Sequence, residues 1–142
     1  MKVSLTRRYK FAAAHRLHAP ALSDQENRRI YGKCNNPYGH GHNYEVSVTV
    51  TGPVDRATGM IANLGELDPF VNREVVDAFD HKNLNEEIPV FQTVVPTTEN
   101  LCREVFRRLQ SFPAARLERV RIEETSKNSF EVTSDRDGPE SR

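Results

Sequence analysis

Residues 2 to 15 alternate between polar and apolar side chains, and this alternation constrains the fold more than any other feature of the chain. The apolar face carries Val3, Leu5, Tyr9, Phe11, Ala13 and His15. Arg7 is its single exception. Alternation over this length is typical of a half-buried strand with one face against a core. The sequence therefore predicts a strand whose buried face ends at His15.

A second alternating stretch covers residues 44–51, where Tyr44 and three valines share one face. Extended backward, the same alternation places His40 and His42 on that apolar face. The intervening residues 18–39 are rich in Asn, Asp, Gly and Pro. This composition predicts a long loop, and loops of this length in a compact domain are either functional or disordered.

Two further stretches have helical spacing. In residues 63–80 the difficulty is Pro69, because a proline in a helix interior removes a backbone donor. We therefore expect this helix to begin with Asp68 as its cap and Pro69 at its first position. Thr97 is the expected cap of a second helix that runs to about Gln110.

Two short strands near residues 117–124 and 128–133 complete the elements. The order of two strands, two helices and two strands predicts an α+β domain with an antiparallel sheet and helices on one face. We expect residues 1–133 to form this single domain and the polar residues 134–142 to form a frayed tail.

The charge balance excludes some classes of function. The 142 residues include twenty basic and twenty acidic side chains, so the formal net charge is zero. The chain lacks the long-range attraction to nucleic acid or anionic membranes that a basic protein has. No stretch resembles a signal peptide or the roughly 20 apolar residues that span a bilayer. We expect a cytoplasmic protein in which Cys34 and Cys102 are free thiols.

Three of the five histidines lie at the ends of the predicted buried strand faces. His40 and His42 are two residues apart and point the same way, and His15 ends the neighbouring strand. Three neutral imidazoles suit zinc and leave a fourth position open, as in catalytic zinc sites. A pair of this spacing also occurs as hydrogen-bonded core histidines or as a surface pair, but the clustering favours ligands. His18 lies in the polar loop, where we expect it to face solvent.

Cys34 lies in a turn-rich stretch, whereas Cys102 lies in the apolar stripe of a predicted helix. Lys33 and a nearby cation would lower the pKa of Cys34 from roughly 8.5 and favour the reactive thiolate. The alternatives are an ordinary loop thiol and a fourth zinc ligand.

Other polar residues have weaker local signals. Alternation carries Glu124 onto the apolar face of its strand, where a carboxylate needs a ligand or an internal arginine as partner. Asp80 and His81 are an adjacent acid and imidazole, which by themselves are more typical of charge pairing at a helix end. The stretch 97–99 has the composition of a helix cap.

Several short runs, taken together and in order, resemble 6-pyruvoyl-tetrahydropterin synthase. They are residues 11–16 (FAAAHR), 32–44 (GKCNNPYGHGHNY), 58–60 (TGM), 80–84 (DHKNL), 97–100 (TTEN) and 124–125 (ET). The resemblance extends over nearly the whole chain, and only the combination of these runs is specific.

The resemblance implies a tunnelling fold, in which a four-stranded antiparallel sheet is backed by two helices. In that family three subunits close their sheets into a barrel, and two trimers stack into a homohexamer with active sites between subunits. Composition and periodicity by themselves do not indicate this assembly.

By position, the resemblance implies roles for ten residues. The zinc ligands are His15, His40 and His42. The catalytic residues are Cys34 and its relay partners Asp80 and His81. The substrate-binding residues are Glu124, which anchors the pterin, and Thr97, Thr98 and Glu99 around it.

The implied activity is that of a zinc-dependent carbon–oxygen lyase of tetrahydrobiopterin biosynthesis. It converts 7,8-dihydroneopterin triphosphate into 6-pyruvoyl-tetrahydropterin and eliminates triphosphate. The sister enzyme, 6-carboxy-5,6,7,8-tetrahydropterin synthase of queuosine biosynthesis, shares substrate, zinc site and fold but has a shorter cysteine-to-histidine gap. Five residues separate Cys34 from His40 here, which favours the pyruvoyl branch. A non-catalytic zinc- or pterin-binding protein is a remoter alternative. Such a protein would need no base, whereas this chain has Cys34, Asp80, His81 and Glu124.

Overall fold

The computed structural model describes residues 1–134, which are built around one five-stranded sheet. The strands are β1 (Val3–His15), β2 (His40–Gly52), β3 (Lys82–Asn83), β4 (Arg116–Thr125) and β5 (Asn128–Thr133). They lie in the order β3-β1-β2-β4-β5. The four long strands pair antiparallel, which confirms the predicted α+β class and the antiparallel sheet.

Strand β3 is the difference from the expected four-stranded sheet. It pairs parallel with β1, with Ala13 opposite Lys82. Two residues carry no periodicity, so the sequence pattern could not reveal this strand. Its effect is to hold the segment around residue 82 beside the end of β1 that carries His15.

Within residues 1–134, five helices accompany the sheet. They are α1 (Asp24–Tyr31), α2 (Leu64–Val71), α3 (Asp77–Phe79), α4 (Leu84–Glu87) and α5 (Thr98–Leu109). A π-helical turn, Asn72–Val76, joins α2 to α3, and 3₁₀ turns occupy Gly32–Asn35 and Pro89–Gln92. Helix α5 packs on β4 and β5, and α3 packs on β1. The apolar strand face and the helix stripes form one cluster of buried side chains.

The prediction of an irregular loop over residues 18–39 is wrong. The hydroxyl of Ser23 accepts a hydrogen bond of 3.1 Å from the backbone N–H of Glu26, and this cap begins α1. Asn27 is the one buried residue of this helix, so α1 has no apolar stripe that periodicity could detect. The usable signal was the cap itself, a serine followed three residues later by glutamate.

The predicted start of the first helix, the one in residues 63–80, is also wrong. Helix α2 begins at Leu64, where the side chain of Asn63 accepts a hydrogen bond of 2.8 Å from Gly65 N–H. Pro69 therefore lies inside the helix, and Asp68 is not its cap. The carboxylate of Asp68 instead binds the Tyr9 hydroxyl at 2.6 Å and Arg7 Nη2 at 2.9 Å. This ion pair at the sheet surface explains the arginine on the apolar face of β1.

The second predicted helix is confirmed in α5, with Thr97 as its cap. The Thr97 hydroxyl accepts a hydrogen bond of 3.2 Å from Asn100 N–H, and the helix ends at Leu109. The predicted tail over residues 134–142 lies outside the described residues, apart from Ser134. Within residues 1–134 no helix is both long and apolar enough to cross a membrane.

Candidate active site

The three histidines meet at one end of the sheet. The antiparallel register places His15 opposite His40 and Ala13 opposite His42, so all three imidazoles lie on the same face. Their ring centroids are 4.6 Å (His15–His40), 5.1 Å (His15–His42) and 4.9 Å (His40–His42) apart. One ring nitrogen from each lies within 4.8 Å of the others, so the group could hold a metal ion.

The orientation of His15 is fixed by the backbone. His15 is 1% exposed, and its Nδ1 donates a hydrogen bond of 2.7 Å to the carbonyl of Pro96. Because a carbonyl only accepts, Nδ1 carries the hydrogen and Nε2 is left with a free lone pair. That Nε2 lies 3.1 Å from Nε2 of His40. A hydrogen bond of this kind from the second ring nitrogen is characteristic of metal-binding histidines.

The protonation states also suit a metal site. Burial lowers the pKa of both His15 and His40, so the rings are kept neutral as metal ligands require. His40 Nδ1 and His42 Nε2 are buried without a hydrogen-bond partner among residues 1–134. A buried ring nitrogen without a protein partner is unusual, and a bound ion would satisfy His42 Nε2. It would not satisfy His40 Nδ1, because His40 faces His15 with its other ring nitrogen, Nε2.

Glu124 lies directly beside the histidines. Its Oε1 is 3.9 Å from His42 Nε2, and its Oε2 accepts a hydrogen bond from the hydroxyl of Thr98, which is buried at the start of α5. No arginine or lysine in the described part of the chain forms an ion pair with Glu124. The internal arginine that was its alternative partner is therefore not found, and the carboxylate keeps hydrogen-bonding capacity for a ligand.

The three residues of the segment 97–99 lie in different environments. Thr97 is half-buried and uses its hydroxyl to cap α5. Thr98 turns inward to Glu124, whereas Glu99 is exposed. Only Thr98 of these three therefore contacts the site through its side chain within one chain.

Cys34 lies on the 3₁₀ turn Gly32–Asn35 and is partly exposed. Its carbonyl accepts a hydrogen bond of 2.9 Å from Leu17 N–H, which holds the turn against the chain just after His15. Burial, and then the charge of Glu124, raise the pKa of Cys34. The part of the prediction that rested on Lys33 is therefore wrong, because Lys33 is solvent-exposed and its charge is screened. The part that rested on a nearby cation stays a prediction.

Asp80 and His81 form a pair at the outer edge of β1. Asp80 Oδ2 lies 2.9 Å from His81 Nδ1, and Asp80 Oδ1 accepts a hydrogen bond of 2.9 Å from Ala12 N–H. The latter bond is the main reason why the pKa of Asp80 is lowered. His81 has a positive φ of 59°, rare for a residue with a side chain, and its imidazole is 84% exposed.

This exposed pair and Cys34 are not joined within one chain. Among residues 1–134, no hydrogen bond links the Cys34 thiol to Asp80 or His81. The single chain therefore brings together the histidines, Glu124 and Thr98, whereas Asp80 and His81 form a pair without a hydrogen bond to Cys34.

Comparison with known proteins agrees with this arrangement. The sequence model of the family described as 6-pyruvoyl tetrahydropterin synthase matches residues 4–135. The chain belongs to this family. The solved structure of Caenorhabditis elegans 6-pyruvoyl tetrahydropterin synthase superposes with a TM-score of 0.90 at 42% identity, covering 95% of this chain and 97% of that one.

Curated members of the 6-pyruvoyl tetrahydropterin synthase family are similarly close in sequence. The 6-pyruvoyl tetrahydrobiopterin synthase of Poecilia reticulata is 49% identical over 125 residues, which is 87% of this chain and 85% of the relative. The human protein of the same name is 45% identical over 128 residues, 89% of this chain and 88% of the relative. The similarity therefore spans both the sheet end with the histidines and the helices that support it.

Some residues of this family member's site had no signal in the sequence. Tyr44 is 1% exposed, and its hydroxyl is buried without a hydrogen-bond partner among the described residues. Burial, followed by Glu124, raises the pKa of this phenol, and the neighbouring Thr98 hydroxyl opposes this rise only in part, so the phenol remains a donor. Periodicity marked Tyr44 only as a core residue. Asn35 and Asn85 were missed because their backbone contacts arise from tertiary structure.

Proposed function

We propose that the chain catalyses the zinc-dependent conversion of 7,8-dihydroneopterin triphosphate into 6-pyruvoyl-tetrahydropterin with elimination of triphosphate. The observation that carries this proposal is the triangle of three histidines with the Glu124 carboxylate 3.9 Å from His42. A candidate metal centre and an anchor for an N–H-rich ring thus lie side by side. The relatives' names, 6-pyruvoyl tetrahydrobiopterin synthase, support the same activity.

Zinc fits the donor set of the three histidines. Two nitrogens bound to one tetrahedral zinc ion at roughly 2.0–2.1 Å lie roughly 3.3 Å apart. The observed separation of His15 Nε2 and His40 Nε2 is 3.1 Å. When bound, zinc would act as a Lewis acid that polarises substrate hydroxyls and acidifies the neighbouring C–H bonds.

Glu124 and Thr98 orient the pterin in this proposal. A carboxylate accepts hydrogen bonds at both oxygens, so Glu124 can pair with two adjacent N–H groups of the ring. Thr98 holds Oε2 in place from the first turn of α5. Thr97 acts through the cap of that helix, and the exposed Glu99 borders the bound substrate in this proposal.

In this proposal Cys34 transfers protons to and from the side chain of the pterin substrate, where the reaction takes place. The protein residues alone raise its pKa, and a cation held by the neighbouring histidines would act in the opposite direction and favour the thiolate. Asp80 holds Nδ1 of His81, so the imidazole can pass a proton through Nε2. Since this pair is exposed at the edge of β1, we propose that it completes the site of a neighbouring subunit in a homohexamer.

The test is to incubate the zinc-loaded protein with 7,8-dihydroneopterin triphosphate and identify the products by mass spectrometry. Wild type is expected to release triphosphate and a 6-pyruvoyl product, and Cys34→Ala to release neither. Cys102→Ala is the matched control, because this thiol is buried beneath β4 and donates to the Val120 carbonyl. It should retain the product.

Two other results would contradict the proposal. A 6-carboxy product with acetaldehyde would show that the protein has the activity of the queuosine branch, and the assignment of the site residues would still hold. Substrate binding without turnover by the zinc-loaded protein would instead indicate the non-catalytic alternative.

A further inference from the structure

A side-chain network holds the turn that carries Cys34. Asn85 of α4 clasps Arg16 by both backbone groups: its Oδ1 accepts from Arg16 N–H at 2.8 Å, and its Nδ2 donates to the Arg16 carbonyl at 2.9 Å. Arg16 directly follows the candidate metal ligand His15. The clasp therefore fixes the backbone at the point where β1 leaves the histidine cluster.

The network continues from Arg16 to the Cys34 turn by two routes. Arg16 Nε donates to the carbonyl of Asn35 at 3.1 Å, and Asn35 Nδ2 donates back to the Leu17 carbonyl at 2.8 Å. Leu17 N–H in turn donates to the Cys34 carbonyl at 2.9 Å. Asn35 Nδ2 also lies 3.1 Å from Nδ1 of His18, so His18 does not simply face solvent as expected.

We propose that Asn85, Arg16 and Asn35 are positioning residues that set the location of the Cys34 thiol relative to the histidine cluster. The inference rests on the proposed function, in which Cys34 moves protons beside the metal. The backbone of Cys34 is bonded to Leu17, which follows His15 closely in the chain, so a shift of the clasp moves the thiol relative to the metal ligand. Misplacement of a reacting group by about 1 Å can cost about a hundredfold in rate.

Asn27 offers a comparison within the same stretch of chain. Its Oδ1 accepts from Ala19 N–H at 2.7 Å, and its Nδ2 donates to the Ala19 carbonyl at 3.0 Å, which is the same double clasp. Asn27 is 0% exposed, and its other bonds reach only the carbonyls of Leu22 and Ser23. It secures the start of α1 and makes no hydrogen bond to Leu17 or to the Cys34 turn.

The experiment compares Asn85→Ala and Asn35→Ala with Asn27→Ala. The first readout, made without substrate, is the rate of Cys34 alkylation by iodoacetamide, followed by peptide mass spectrometry with buried Cys102 as internal reference. We expect a severalfold change in both test variants and none in Asn27→Ala, although all three should lose thermal stability. Asn85→Asp keeps the acceptor for Arg16 N–H and should change the rate less than Asn85→Ala.

The second readout is steady-state turnover with zinc content measured on the same samples. With bound zinc unchanged, kcat should fall about ten- to a hundredfold in Asn85→Ala with a small effect on KM, because substrate contacts remain. Equal alkylation rates in all variants, or an equal change in Asn27→Ala, would overturn the inference. A 6-carboxy product from wild type would overturn the proposed reaction and leave the alkylation result interpretable.

Discussion

Two tyrosines on neighbouring strands have opposite surroundings. The Tyr9 hydroxyl on β1 donates to Asp68 at 2.6 Å, and Asp68 is bound in turn by Arg7. The Tyr44 hydroxyl on β2 is buried without a partner in the described part of the chain. The two residues lie close together along the sheet, since Tyr9 faces Val46 and Phe11 faces Tyr44 in the register.

This difference marks a boundary along the sheet. Toward the middle, polar groups are satisfied within the chain, as stability requires. Toward His15, the atoms without partners accumulate: Tyr44 Oη, His40 Nδ1 and His42 Nε2. Proteins tolerate such departures mainly where function needs them. The histidine end of the sheet thus has the features of a site for an ion and a ligand.

The largest expected effect on this comparison comes from zinc. At about a hundred times the dissociation constant, zinc should stabilise the folded protein by about 2.7 kcal/mol. His42→Ala should remove most of this gain, whereas His81→Ala should retain it, because His81 lies outside the histidine cluster. Thermal unfolding of chelated protein, with and without added zinc, measures both. An equal zinc effect in the two variants would place the metal elsewhere.

Substitution of each tyrosine by phenylalanine should change the free energy of unfolding by a smaller amount, and the two substitutions should differ in their effect. Tyr9→Phe removes a satisfied hydrogen bond and should cost about 1 kcal/mol of unfolding free energy. Tyr44→Phe removes a hydroxyl without a partner and should leave the stability of the metal-free protein unchanged or raise it. Urea denaturation distinguishes the two, and a larger loss in Tyr44→Phe would show that the hydroxyl is satisfied in solution.

The smallest expected effect is a difference in pH dependence. The histidine end of the sheet and the region around Asp68 should lose stability in different pH ranges. Burial lowers the pKa of His15 and His40, so below roughly 6.5 the unfolded chain binds more protons and the metal-free protein loses stability. Arg7, followed by Tyr9, lowers the pKa of Asp68. The contribution of Asp68 to the free energy of unfolding is therefore present above roughly pH 3.9 and is lost only as the pH falls below that value.

Urea midpoints of metal-free protein near pH 7.5, 5.5 and 3.5 test this order. The first decrease should be smaller with zinc bound, because protons and metal compete for the imidazoles. The second should be smaller in Asp68→Asn. A flat profile between the two higher values would argue against neutral buried histidines.

Local periodicity in the sequence was sufficient to predict much of the fold. Alternation predicted β1 and β2, and the same parity placed His15, His40 and His42 on one face. The strands β4 and β5 were also expected near their observed positions. The cap and stripe of α5 were equally readable. The failed predictions had two causes. The cap of α1 at Ser23 was a local signal that was missed, whereas Asp68 was expected as a helix cap and instead binds side chains of β1 through tertiary contacts.

The electrostatics of the site were less predictable than its composition. A flanking lysine and an expected nearby cation suggested a lowered pKa for Cys34, whereas among the protein groups burial and the nearby Glu124 raise it. Neither effect can be inferred from sequence neighbours, because Glu124 is ninety residues away in the chain. For the same reason, the clasp of Asn85 on Arg16 joins segments that no local pattern connects.

The most direct test of the account is turnover before and after removal of the metal. Protein stripped with a chelator and dialysed should release no triphosphate from 7,8-dihydroneopterin triphosphate, and stoichiometric zinc should restore release in wild type but not in His42→Ala. Equal triphosphate release by the stripped and the reloaded protein would contradict the claim that the three histidines form a metal-dependent active site.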